Sequence, residues 1–245
     1  VLAQSVITSE VHVVGIPVSG SGFMNFTYLL FDEKTRDGAL VDPAWEPDVI
    51  AGQVALHQVQ VGVVLLTHSH RDHTDLARWA SDLYGAQIRI NEMESWALGD
   101  VSTVPFASTG GKVYQLGSIP VLAVPTSGHT CGSTTYFVGD AAFTGDFLYI
   151  EGCGICVEPG GDPEQMWASV MARSQWAPGT RIYPGHQFFA APGLPLREVR
   201  DRNIYTYLTD KDDFVRFRTR QTSGSGNAFR LSPGFQHRVG AGAQP

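Results

Sequence analysis

Within six residues, His68-Ser69-His70-Arg71-Asp72-His73 sets three imidazoles and one carboxylate side by side. Imidazole nitrogen and carboxylate oxygen suit zinc, iron or manganese. Four such groups are too crowded for one tetrahedral ion, but two ions can share them. Further along, His129 stands in Gly128-His129-Thr130, His186 in Gly185-His186-Gln187 and Asp146 in Thr144-Gly145-Asp146. A lone Gly-His is more often a surface or core histidine than a ligand. Five His and two Asp in four separate turns argue instead for a shared metal site. His12, His57 and His237 fall outside this pattern.

The elements that must hold these turns are legible in outline. Residues 61–66 form a continuous apolar run, the mark of a strand covered on both faces, and the histidine run begins where it stops. A loop held by a rigid strand is where site residues are best positioned. Residues 121–124 and 181–183 read as strands leading through a proline to His129 and His186, and residues 142–143 lead to Asp146. Residues 11–18, 26–31 and 39–41 read as strands, as do 113–116 and 134–138. Residues 46–58, 75–84, 92–98, 163–176, 196–208 and 212–220 read as helices, with Asp75 capping the second of these and Asp162 the fourth. Strands then helices, twice over, predict two sheets packed face to face with helices outside, an α+β four-layer αββα sandwich. Residues 1–220 are expected to form one hydrolase-sized domain and residues 221–245 a Gly/Ser/Ala-rich tail.

Composition narrows the class. The chain has 245 residues, 43% hydrophobic and 17% charged, with 27 glycines. This suits a loop-rich globular fold and argues against disorder or a coiled coil. No apolar run nears the ~20 residues of a membrane span, so no membrane partner is expected. Residues 1–10 lack a basic stretch followed by an apolar one, so no secretion signal is expected there. Three cysteines, Cys131, Cys153 and Cys156, do not make a disulfide framework, and a reducing cytoplasm is the expected setting. The net charge is −7 but uneven. Residues 1–172 hold 6 Lys/Arg against 19 Asp/Glu, a balance of −13; residues 173–245 hold 11 against 5, a balance of +6. A basic end on an acidic body either meets an anionic partner or forms a solvated helical face. No nucleic-acid motif accompanies it, so nucleic acid is not the expected partner.

The order H-x-H-x-D-H, then His, Asp and His, resembles the metallo-β-lactamase fold family over about residues 10–220. Phe143-Thr144-Gly145-Asp146, Gly152-Cys153-Gly154 and Tyr183-Pro184-Gly185-His186 resemble its glyoxalase II branch. The resemblance implies an αββα sandwich with the site at one edge of the sheets. It implies one metal on His68, His70 and His129 and a second on Asp72, His73 and His186, with Asp146 bridging. It also implies zinc, two ions per chain, with iron or manganese as alternatives.

Chemistry follows from that arrangement. Two metals lower the pKa of a bound water from ~15.7 to about 7. Metal-bound hydroxide then attacks a carbonyl carbon, with Asp72 steering it. A leaving thiolate needs no strong acid, since a free thiol has a pKa of about 8.5. No G-x-S-x-G elbow is visible, which fits direct hydrolysis. Tyr149 and Tyr183 stand near ligand turns, either as donors to an oxyanion or as packing. Glyoxalase II and the related iron persulfide dioxygenases carry a basic residue after the GCG turn. Ile155 stands there, and it cannot pair with a glutathione carboxylate. The run Gly152-Cys153-Gly154-Ile155-Cys156, with Gly160-Gly161-Asp162-Pro163-Glu164 and Phe214-Val215-Arg216-Phe217-Arg218, is similar to zinc-dependent hydrolases associated with bacterial polyketide synthases. That likeness implies a thioester hydrolase acting on acyl groups carried by acyl carrier protein, pantetheine or CoA. An acidic carrier protein would suit the basic segment, with Arg197, Arg200, Arg202, Lys211, Arg216, Arg218 and Arg220 as candidates. A mononuclear iron persulfide dioxygenase using His68, His129 and Asp146 is the alternative. Cys153-x-x-Cys156 is expected to be buried packing rather than a redox pair, and a homodimer is one arrangement open to the chain.

Overall fold

The computed structural model describes residues 11–99, 103–106 and 111–220. Its first half comprises β1 (Val11–Gly20), β2 (Phe23–Asp32), β3 (Asp37–Val41), α1 (Pro47–Leu56), β4 (Gln60–Leu65), α2 (Arg71–Thr74), α3 (Ala77–Tyr84), β5 (Gln87–Asn91) and β6 (Thr103–Phe106). The second half comprises β7 (Lys112–Leu116), β8 (Ile119–Pro125), β9 (Thr134–Val138), β10 (Ala141–Gly145), α4 (Pro163–Ala172), β11 (Arg181–Pro184), β12 (Leu194–Pro195), α5 (Leu196–Arg202) and α6 (Lys211–Thr219). One sheet runs β1-β2-β3-β4-β5-β6 and the other β12-β11-β10-β9-β8-β7.

Three apolar layers hold this together, and each follows from strand alternation. Tyr28, Leu30, Val41 and Leu65 of the first sheet face Val121, Tyr136, Val138 and Phe143 of the second. The opposite faces pack against helices. Leu29, Leu40 and Val64 meet Ile50 of α1 and Ala77 and Ala80 of α3. Ala142 and Ile182 meet Met166 and Val170 of α4, Val199 of α5 and Phe214 of α6. Helix, sheet, sheet, helix is the αββα order expected. Burial of these side chains, about 1.5–3 kcal/mol each, is the main force fixing the sheets against each other.

Several local expectations need correction. β5 and β6 extend the first sheet although neither stands out as an apolar run. β5 pairs in parallel with β4 and with β6, and only alternate residues Ile88 and Ile90 supply its apolar core face. Asp75 does not cap a helix N-terminus. It ends α2, and its carboxylate takes the Arg71 Nε at 3.1 Å. α3 starts at Ala77 behind Leu76, without a side-chain cap. Residues 92–98 form a 3-10 helix, with Asn91 accepting from the Met93 amide. The helix expected over 196–208 stops at Arg202, because Asn203 turns inward to donate to the carbonyls of Tyr149 and Gly152. Asp162 does cap α4, accepting from the Glu164 and Gln165 amides. The expected tail, residues 221–245, lies outside the described residues, as does His237. No helix among the described residues is long and apolar enough to cross a membrane.

Candidate metal centre

The seven singled-out residues converge where strand ends of the two sheets meet. His68 follows β4. His70 caps α2 in an extended conformation, so Asp72 and His73 ride on one helical turn rather than in an open loop. His129 stands between β8 and β9, Asp146 follows β10, and His186 follows β11. Bonds between the sheets lock these ends together. The Tyr28 hydroxyl donates to Pro184 O at 2.6 Å, the Phe26 amide to Gly185 O at 2.8 Å and the Thr134 amide to Thr67 O at 2.9 Å.

Two positions demand glycine because the site is so tight. A Cβ on Gly185 would lie 2.4 Å from His73 Cε1 and 2.7 Å from Asp146 Oδ1. One on Gly154 would lie 2.3 Å from Asp146 O and 2.7 Å from His129 Nδ1.

Three sets of donor atoms lie close enough to share an ion: His68, His70 and His129; Asp72, His73 and His186; and His68, His73 and Asp146. Within each set the ligand atoms fall within 4.8 Å of one another. Asp146 stands between the first two sets. Its Oδ2 is 3.5 Å from His129 Nε2 and 3.4 Å from His186 Nε2, and its Oδ1 is 3.4 Å from His73 Nε2. Asp72 Oδ2 lies 3.3 Å from His186 Nε2 and 3.5 Å from His73 Nε2.

Four of the rings are oriented through their other nitrogen. His129 Nδ1 donates to Ile155 O at 2.6 Å, and His186 Nδ1 to Met24 O at 2.9 Å. His73 Nδ1 meets the Asp42 carboxylate at 2.9 Å. Thr67 Oγ1 gives its proton to Asp42 and so accepts from His68 Nδ1 at 3.0 Å. Each bond fixes the ring so that Nε2 faces the centre and, in the neutral ring, favours the tautomer with its lone pair there. His70 differs: its Nδ1 lies 2.9 Å from His129 Nε2. The Nε2 atoms of His68 and His73 and Asp146 Oδ1 are buried without a hydrogen-bond partner. Leaving such an atom bare costs about 1–3 kcal/mol. Three buried atoms without a hydrogen bond, on residues whose ligand atoms fall within 4.8 Å of one another, are a donor set a cation completes, so the residues fit a metal.

Charge is unevenly distributed across the centre. Burial and the neighbouring His73 hold His68 well below its ordinary pKa, and burial holds His129 below its own. For His186, burial opposes protonation, but hydrogen bonds to Asp146 and Asp72 raise its pKa to about 10. His73 is likewise buried, yet Asp146 and Asp42 push it well up. Burial works against the charge of Asp146 and Asp72 too, but the adjacent His73 and His186 hold both carboxyls well below the usual range.

Supporting residues that sequence reasoning missed are Asp42, Thr67, Asn25 and Glu94. Asp42 accepts from the Thr67 amide and hydroxyl as well as from His73. It follows β3, so the strand-end pattern that singled out the other seven residues could have found it. Asn25 Nδ2 donates to Asp72 O at 2.9 Å and Oδ2 at 3.0 Å. Glu94 is buried, and its two oxygens take the Ser69 amide at 3.1 Å and the Gly132 amide at 2.6 Å, tying the His68 and His129 loops together.

The remaining residues behave as packing. Tyr183 stacks on Phe143 at 5.3 Å in the inter-sheet core. Tyr149 is the exception: it is buried with its ring 6.0 Å from His186, and burial together with the neighbouring Asp146 pushes its hydroxyl pKa well up. Cys153 and Cys156 sit in the core under α4–α6, and burial pushes the Cys156 thiol up to about 11. His12 stacks on Phe31 and pairs with Glu33, while His57 ends α1.

Residues 20–186 match the Metallo-beta-lactamase superfamily. "Probable polyketide biosynthesis zinc-dependent hydrolase BaeB" of Bacillus velezensis is 33% identical over 215 residues, spanning 87% of this chain and 95% of that protein. Its counterpart PksB of Bacillus subtilis is 32% identical over 216 residues, 88% of this chain and 95% of the other. The cytoplasmic hydroxyacylglutathione hydrolase of Arabidopsis thaliana is 33% identical over 172 residues, 67% of this chain and 64% of the other. Among solved structures, ETHE1 from Myxococcus xanthus superposes with a TM-score of 0.75 at 23% identity, covering 86% of this chain and 92% of that one.

Proposed function

The chain belongs to the metallo-β-lactamase superfamily, and from that premise we propose a metal-dependent hydrolase that cleaves acyl thioesters of the carrier-protein, pantetheine or CoA type. The observation that carries this reading is the convergence of seven imidazole and carboxylate side chains, three of which hold a buried donor atom that makes no hydrogen bond. The names of the relatives support zinc as the metal and polyketide or related natural-product biosynthesis as the setting.

In this reading His68, His70 and His129 hold one zinc, Asp72, His73 and His186 hold a second, and Asp146 serves both. When bound, two such ions supply a nucleophile of hydroxide strength at neutral pH and polarise the carbonyl under attack. The chain's own groups do the rest. Asp42, Thr67 and the carbonyls of Ile155 and Met24 keep four rings from rotating. Asn25 fixes Asp72, a partly exposed carboxylate held ionised and able to orient the attacking water as an acceptor. The departing thiolate needs no acid, having a solution pKa of about 8.5. Cys153 and Cys156, buried with raised thiol pKa values, are not nucleophiles.

An acidic carrier protein as partner rests on the basic C-terminal segment. Within it Arg197, Lys211 and Arg216 pair with Glu198, Glu164 and Asp213, and Arg218 and Arg220 engage Tyr205. Arg200 and Arg202 make no ion pair among the described residues and are the preferred carrier-facing candidates. A cytoplasmic setting belongs to the same reading.

The test is release of free thiol from acyl-pantetheine and acyl carrier protein. The reading expects metal-dependent release that a chelator abolishes and zinc restores. Oxygen uptake with a persulfide, by protein holding one iron, would overturn it in favour of the dioxygenase alternative.

A further inference from the structure

The loops around the metal centre are unusual for what they lack. Residues 126–133, 146–161 and 185–193, which carry His129, Asp146 and His186, contain no lysine or arginine, and neither does the β1–β2 turn at 19–24. The nearest cation in sequence to a ligand, Arg71, is already paired with Asp75. What these loops expose instead is apolar. Phe188 and Phe189 are 60% and 87% exposed, and Ile155, Val157 and Met24 are exposed as well. Scattered apolar side chains on a surface need no explanation, but a concentration at one site does.

Three of these residues are tied to histidines of the centre. The Ile155 carbonyl takes His129 Nδ1, and the Met24 carbonyl takes His186 Nδ1. The Phe188 ring packs against Tyr149 at 5.0 Å, and Tyr149 lies 6.0 Å from the His186 ring. The Ala190 amide donates to Glu151 Oε1 at 2.8 Å, joining the two aromatic-bearing loops. The backbone that carries Met24 and Ile155, and the Phe188 ring, therefore stand beside the centre where a substrate carbonyl would sit.

We propose that Met24, Ile155, Val157, Phe188 and Phe189 form a seat for an apolar acyl chain, and that Phe188 with Ile155 sets the preference for longer chains. This rests on the thioester reading and deepens it. Each methylene that reaches the seat leaves water, so discrimination grows with chain length.

The experiment compares acetyl-, butyryl- and octanoyl-pantetheine. The seat predicts kcat/KM rising about 10- to 100-fold from acetyl to octanoyl. Phe188→Ala and Ile155→Lys should shrink that ratio, while Leu56→Ala, an exposed apolar residue at the end of α1, should leave it unchanged. Both seat residues are exposed, so neither change threatens folding. Binding of the unreactive thioether analogues of the same lengths reads the seat without turnover. Binding independent of length, or a ratio untouched by both substitutions, overturns the seat. Length-dependent binding without thiol release would support the seat and overturn the thioester reading.

Discussion

The two ligand sets use nearly the same residue types, yet their surroundings prepare them differently. Around His68 and His129 the supporting partners are neutral, a threonine hydroxyl and the Ile155 carbonyl, and burial keeps both rings below their usual pKa. Around His73 and His186 the partners include three carboxylates, Asp42, Asp72 and Asp146, and both rings are pushed up. His68 and His129 are thereby kept neutral and ready to ligate. The second set balances its negative charge with protons until a cation replaces them. Ligand identity alone therefore does not set how a metal site behaves; the groups behind the ligands decide its charge.

Asp146→Ala should blur the distinction most, because this carboxylate touches histidines of both sets. Affinity at both positions should fall by more than about 100-fold, read by competition with a chromophoric chelator. Asp42→Asn should separate the sets. It weakens the support of His73 and should cost the second set about 10- to 100-fold with a smaller loss at the first, measured by the same competition.

Acidity should sharpen the contrast next. A pKa raised to about 10 leaves His186 protonated at pH 7 when no metal is bound, so an ion must displace that proton. Affinity of the second set should then climb about tenfold per pH unit for each proton displaced, up to the region of pH 10. Binding that rests on His68 and His129, both with lowered pKa values, should be flat above neutrality. Calorimetry in buffers of different ionisation enthalpy counts the protons released, and equal release at both steps would break the contrast. Glu94→Gln should give the smallest effect, about tenfold or less at the first set alone. An amide there can keep only one of the two acceptor roles toward Ser69 and Gly132. Equal weakening of both sets would mean Glu94 supports the fold in general.

The turns that bring the seven side chains together were legible because strand ends, glycines and histidines are local signals. The layer order was legible because residues 61–66 and their counterparts alternate or run apolar over whole strands. β5 was not, because pairing with β4 and β6 makes it a strand. The break at Asn203 was hidden because it answers to Tyr149 and Gly152, some fifty residues away. Asn25 and Glu94 were invisible for the same reason. Their roles are hydrogen bonds across sequence separations of 47, 25 and 38 residues, which no spacing rule exposes.

Elemental analysis of anaerobically purified protein, combined with zinc titration of the chelator-stripped chain, tests the central claim most directly. The account predicts two zinc equivalents per chain, with His186→Ala removing one and Asp146→Ala weakening both. A single equivalent that survives His186→Ala with unchanged affinity would contradict it.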